Sequence, residues 1–288
     1  MSARRSLAAI AVLAVAGGAA VYGSYLYSER HSSAAASGRC TASLDGSTST
    51  LTAEQAQNAA LIAAASQRLG LPARGATIGI ATALQESRLV NIDYGDRDSI
   101  GLFQQRPSQG WGTVEQIMDP YYSADRFFTA LARVDGWQDM AVTVAAQRVQ
   151  RSAFPDAYAQ HETGARLWAS ALRGYSGAMA VDCDVAAGAG TTVRDFAGRI
   201  EADFGPDVYA VRRLASPSGD LWIDVVPRSG DAAQRDAFAA WAVAVAGSES
   251  VEEVADGTAG WRRGVGAAPV DAPGVVMGVA VRLRPGSQ

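Results

Sequence analysis

The sequence predicts a mainly α-helical domain followed by a small α+β two-layer domain, with an N-terminal transmembrane helix ahead of both. Three observations carry this. Leu7 to Tyr27 is apolar and holds no charged residue. Residues 51–185 show apolar spacing of helical period, broken by Gly, Pro and capping residues. Beyond Gly188 the pattern changes to β-branched runs around a turn. At 288 residues the chain has room for two ordinary domains, and its 48% apolar content is normal for a globular protein.

Arg4 and Arg5 precede the apolar run, which reaches the length of about 20 residues that a membrane span needs. Basic residues on that flank hold the N-terminus in the cytoplasm and send the rest of the chain out. A cleaved signal peptide competes, with small residues such as Ala14-Val15-Ala16 as a site. The length of the run and the interfacial Tyr22, Tyr25 and Tyr27 favour a retained anchor over residues 1–27. The expected location is therefore the cell membrane, single-pass with the C-terminal part extracytoplasmic; the alternative is a secreted protein. Residues 28–50 are rich in Ser, Ala, Gly and Thr and read as a flexible linker. The two cysteines, Cys40 and Cys183, are expected to form a disulfide in an exported protein.

In the helical domain, Thr52-Ala53-Glu54-Gln55 is a helix-starting capping box. That helix runs to about Leu69 and stops at Gly70 and Pro72. A second helix, about Ala76 to Ser87, carries Ile78, Ile80, Leu84 and then Glu86. Asn91 to Gln105 reads as loop, with room for a short hairpin. Pro120 opens a helix through Val134, Asp139 caps one to Gln150, and Pro155 starts one that runs to about Leu172. Gly188 to Thr191 reads as a second linker. In the α+β domain, 191–288, a helix is expected over Val193 to Phe204. Strands follow over Val208 to Leu214 and Asp220 to Val226 about the turn Ser216-Pro217-Ser218-Gly219. A helix over Asp231 to Ala246 and strands over Val251 to Val254 and Gly274 to Arg284 complete an α-β-β-α-β-β order.

Composition excludes several functions. A net charge of −4 gives no basic field for nucleic acid. The chain has no lysine, so it has no P-loop, and it has no Gly-x-Ser-x-Gly. His31 and His161 are the only histidines and no metal-ligand spacing occurs. Neither a metal nor a cofactor is expected. Trp222, Trp241 and Trp261 are of a type that stacks on sugars, but core packing is the commoner use of such residues.

The chemistry concentrates between Gln85 and Gly112. Glu86 ends an apolar helix, and Leu102 and Phe103 follow on a glycine-led step. A carboxyl group held against apolar side chains keeps its proton towards neutral pH and serves as a general acid. Asp93, Asp96 and Asp98 lie in the intervening loop. Aspartates beside glycine more often form turns, so Asp96 and Asp98 stand as the candidates for a second carboxylate only in a hydrolase.

Glu86-Ser87 followed by Gly101-Leu102-Phe103-Gln104 resembles the Glu-Ser … Gly-Leu-Met-Gln signature of soluble lytic transglycosylases and goose-type lysozymes. The string from Gly95 to Thr113 resembles an actinobacterial branch of that lysozyme-like superfamily. The likeness covers roughly Thr52 to Leu172. It implies a lysozyme-like fold over 51–185 that cuts peptidoglycan glycan strands, with Glu86 as acid and then base and a 1,6-anhydro product. It also implies cleft roles for Ser87, Phe103, Gln104, Gln147 and Tyr158. The family's Ala-Tyr-Asn-Ala-Gly is replaced here by Ala145-Ala146-Gln147-Arg148-Val149, without the tyrosine, and Leu89 replaces an aromatic. A muramidase and a non-catalytic glycan-binding scaffold are the competing readings. The expected partners are peptidoglycan strands, the cytoplasmic membrane through residues 7–27, and a cell-wall protein through the C-terminal domain; nucleic acid is not.

Overall fold

Thr52 closes a strand and opens a helix. In the computed structural model, which describes residues 37–151, 156–274 and 276–286, the Thr52 hydroxyl accepts from the Gln55 amide. The Gln55 side chain accepts from the Thr52 amide in return. Two orphan donors of the Ala53–Arg68 helix are satisfied at once, as the capping box requires. Helices follow at Ala73–Ser87, Val114–Met118, Pro120–Leu131, Val142–Gln150 and Glu162–Leu172. The N-terminal half is thus helical, with the Gly-containing loop between residues 88 and 113 as its irregular insert.

Upstream of Thr52 the chain departs from the expected flexible linker. Strands β1 (Gly38–Leu44) and β2 (Ser47–Thr52) form an antiparallel hairpin, and β1 also pairs with β3 (Val181–Val185). Alternation of small polar and apolar residues supplies a strand's two faces, and β3 shows the same pattern, buried at Val181, Cys183 and Val185. Cys40 and Cys183 stand directly opposite each other in this ladder and are joined in a disulfide.

The C-terminal half is a six-stranded antiparallel sheet in the order β4-β5-β9-β6-β7-β8. The strands are β4 (Tyr209–Leu214), β5 (Leu221–Pro227), β6 (Val251–Ala255), β7 (Gly260–Arg262), β8 (Gly266–Ala267) and β9 (Val279–Leu283). Two of these, β7 and β8, add to the four expected; with three and two residues they are too short to show a period. Helices Val193–Phe204 and Ala232–Ala244 accompany the sheet, the latter followed by a short turn of helix at Ala246–Glu249. Ala232–Ala244 is buried without a break from Ala237 to Ala244. It packs on the sheet and also on helices Ala53–Arg68 and Glu162–Leu172, so it has no solvent face for its first-half polarity to extend into. Trp222, Trp241 and Trp261 are all buried, and their indoles serve the core.

The expected linker at Gly188 to Thr191 is pinned instead. The Gly190 amide donates to Ser250 Oγ at 3.0 Å, the Thr191 amide to the Arg284 carbonyl at 2.9 Å. The last helix of the helical half begins at Glu162, after a 3-10 turn at Ala159–His161. Pro155 and residues 7–27 lie outside the described residues. Among those described, no helix is long and apolar enough to cross a membrane.

One carboxylate ties the two halves. Asp203 has no exposed surface. Its Oδ1 accepts from the Tyr121 hydroxyl at 2.6 Å and from Arg199 Nε at 2.9 Å, and its Oδ2 from Trp241 Nε1 at 2.6 Å. Arg199 reaches onward to Glu249 at 3.2 Å. Arg68 closes the same junction, donating to the Ala202 and Asp203 carbonyls and to Asp125. A buried charge is tolerated only when its lone pairs are filled in this way. Replacing Asp203 by Ala strands Arg199 and the Tyr121 and Trp241 donors, and should lower the unfolding free energy by about 3–5 kcal/mol. Tyr121→Phe should cost less, about 1–2 kcal/mol, in the same urea titration.

Candidate active site

Glu86 is placed by the way its helix ends. Arg88 and Leu89 both adopt left-handed backbone conformations, with φ of 57° and 58°, and their amides donate back into the last turn of Ala73–Ser87. Leu89 turns into the core and is completely buried, which is the hydrophobic contact such a helix stop uses. Gln55 and Asn58 of the first helix donate to the Arg88 and Leu89 carbonyls, each at 2.8 Å, and fix the stop in space.

The loop then returns to the same helix end. Ser87 Oγ donates to the Leu102 carbonyl at 2.7 Å, so Ser87 is a latch between the helix and the Gly101-Leu102-Phe103-Gln104 step. Gly101 has φ of 78°, and a Cβ there would lie 2.8 Å from the Ile117 carbonyl oxygen; only glycine fits. Leu102 and Phe103 are buried, and Phe103 stacks on Phe127 with centroids 4.5 Å apart. Phe103 is therefore core and not a ligand contact. Gln104, at φ 46°, leaves the core and enters a cleft, where its amide donates to the Tyr94 carbonyl.

That cleft has a volume of about 1000 Å³. Glu86, Asp96, Gln104, Trp111 and Gln150 line it, together with arginines. Trp111 is held by its carbonyl, which accepts from Tyr122 and Arg126. The Glu86 carboxyl accepts from the buried Tyr158 hydroxyl at 2.6 Å. Gln150 also bonds to it and donates to the Phe103 carbonyl at 2.7 Å. Desolvation by burial raises the Glu86 pKa above its ordinary value, while the Tyr158 and Gln150 hydrogen bonds pull it back. A position in the last turn of a helix acts with the burial, because the helix C-terminus disfavours a negative charge.

The two loop aspartates part company. Asp98 is taken up by the Ser108 amide at 2.8 Å and Arg106 Nε at 2.6 Å. Ser108 and Arg106 together hold its carboxyl far below the usual range, and it does not line the cleft. Asp96 does line it, with its side chain 90% exposed. Gln147 sits one helical turn before Gln150 and does not line the cleft. Gln150 was missed by the sequence reading because it lies outside the motif; its signal is its place on the same helix face, three residues after Gln147. No group of His, Cys, Asp or Glu among the described residues is arranged to hold a metal.

No protein-family model matches the chain, and no curated protein matches it in sequence.

The geometry fixes the sign of the site's titration. Glu86 should titrate above its ordinary value of 4.5 in a carbon-detected NMR titration, assigned by its loss in Glu86→Gln. Tyr158→Phe removes a donor to the ionised form, so the midpoint should move further up; a downward move would contradict the assigned contact. A raised carboxyl pKa contributes stability below its unfolded value and loses it as pH rises through the folded one. Glu86→Gln should therefore be more stable than the parent at neutral pH, with the difference closing as pH falls to about 4.5.

Proposed function

We propose that this protein is a membrane-anchored, extracytoplasmic peptidoglycan lytic transglycosylase whose helical half is lysozyme-like. One observation supports this most: a single desolvated carboxyl group, Glu86, faces a cleft and is held at 2.6 Å by a buried tyrosine. Burial favours the acid that must protonate a leaving oxygen, and the Tyr158 and Gln150 donors favour the anion that must follow. One residue with both influences on it suits a reaction in which it acts twice.

In the first step Glu86 gives its proton to the β-1,4 glycosidic oxygen and the bond from muramyl C1 to that oxygen breaks. The positive charge that develops at C1 lies near the carboxylate just formed. In the second step Glu86 takes the proton of the muramyl 6-hydroxyl, and O6 bonds to C1. The product ends in 1,6-anhydromuramic acid, Glu86 is again protonated, and no water is consumed. Gln104 and Trp111 are suited to hold the sugars, the amide by hydrogen bonds and the indole by its face.

A hydrolase is favoured by one observation, that Asp96 lines the same cleft as Glu86. Its exposure argues for a solvated side chain and for the one-carboxylate route. The disulfide suits an oxidising, extracytoplasmic location. Residues 7–27 supply the anchor in this reading, and the C-terminal sheet region a contact for the wall or its proteins. The N-terminal half and not the sheet carries the chemistry.

Digestion of purified sacculi by the full-length protein in detergent, read by mass spectrometry, tests this. Anhydromuramyl products should form and fall by on the order of 10²-fold or more in Glu86→Gln. Reducing ends in their place would make the enzyme a muramidase, and binding without any product would make it a non-catalytic glycan module.

A further inference from the structure

The cleft differs in charge from the rest of the chain. Six arginines line it against two carboxylates, while the whole chain carries −4. Three of the six are engaged. Arg106 is bound to Asp98, Arg126 holds the Gly110 and Trp111 carbonyls, and Arg97 lies 3.9 Å from Asp96. The other three, Arg133, Arg148 and Arg151, are exposed, and none of their guanidinium groups has a hydrogen bond or ion pair to another described residue.

These three come from two separate places in the chain. Arg133 follows the helix Pro120–Leu131, and Arg148 and Arg151 end the helix Val142–Gln150 that also carries Gln150 to Glu86. A helix C-terminus attracts cations, which accounts for Arg148 by itself. It does not account for Arg133, nor for the presence of all three in the lining of one cleft. Unpaired guanidinium groups repel each other in a shared cleft unless an anion joins them, and their planar fork matches carboxylate or phosphate oxygens.

We infer that Arg133, Arg148 and Arg151 form a subsite for anionic oxygens borne on the glycan strand, so that the cleft selects charged strands over neutral ones. The inference rests on the reading of the Glu86 cleft as a glycan site. Two substituents offer the same chemistry: carboxylates of the sugar and its peptide stem, and phosphodiesters of a polymer attached to the wall. The arginines bind and orient; the proton transfers stay with Glu86.

The test is co-sedimentation of the full-length Glu86→Gln protein, in detergent, with sacculi it does not consume. One preparation keeps its carboxylates after removal of phosphodiester polymers. A second is the same material with its amines acetylated and its carboxylates converted to neutral amides. A third keeps the phosphodiester polymers on amide-capped strands. The charged strands should bind about tenfold more tightly than the neutral ones, three exposed ion pairs each contributing modestly. The advantage should shrink with salt, since exposed pairs are screened. The first and third preparations show which substituent is bound.

Arg133→Gln/Arg148→Gln/Arg151→Gln should lose the preference, and the corresponding triple Lys variant should keep part of it, because lysine retains the charge but not the planar fork. Equal binding of charged and neutral strands, or a preference that survives the triple Gln change, would overturn the subsite. Wild-type cleavage with charge-indifferent binding would remove the subsite alone. Arginine-dependent binding by a wild type that cleaves nothing would remove the lyase reading and leave the subsite standing.

Discussion

The burial of Asp203 is the constraint on which the two halves depend. A carboxylate with no exposure must find its donors inside the protein, and it finds them on three elements far apart in sequence: Tyr121, Arg199 and Trp241. Each donor is useful only if its own helix is in place. Tyr121 begins the helix Pro120–Leu131, whose outer part brings Arg126 to the Trp111 loop and leads to Arg133. One wall of the cleft is thus set by a contact made with the C-terminal half. The disulfide between β1 and β3 closes the chain over the helical half in the same sense, joining strands that flank it in sequence.

The site itself is a balance of opposed electrostatic effects. Burial and a helix C-terminus make the Glu86 anion unfavourable, and two side-chain donors make it less so. A carboxyl group under only one of these influences would be locked as acid or as base. Asp98 shows the opposite limit, held as an anion by Ser108 and Arg106 and so confined to shaping the loop. Two acids twelve residues apart therefore have different chemistry for reasons that lie in their neighbours. The latch from Ser87 to the Leu102 carbonyl fastens the loop to the helix end that carries Glu86.

Local signals determined much of the chain. The capping box at Thr52, the stop at Gly70 and Pro72, the helix Val193–Phe204 and the strands about Ser216 to Gly219 are all short-range chemistry and are found where the sequence places them. The cysteines could be paired from their count, since the chain has only two. Glu86 was legible because an apolar helix delivers it and a glycine-led apolar step follows. Tertiary structure decided the rest. The segment before Thr52 is a hairpin because β3, more than 130 residues later, offers it a partner; its own small polar residues say only that it is not helical. Phe103 turned inward to stack on Phe127, while Gln104 beside it turned outward, a choice made by the left-handed backbone at Gln104 and not by composition. Gln150 and the free arginines reach the cleft from other helices, and no spacing along the chain encodes that meeting. Helix and turn propensities act over a few residues, so the sequence by itself could single out Glu86; its desolvation and its donors come from side chains far along the chain, which only the packed fold brings within reach.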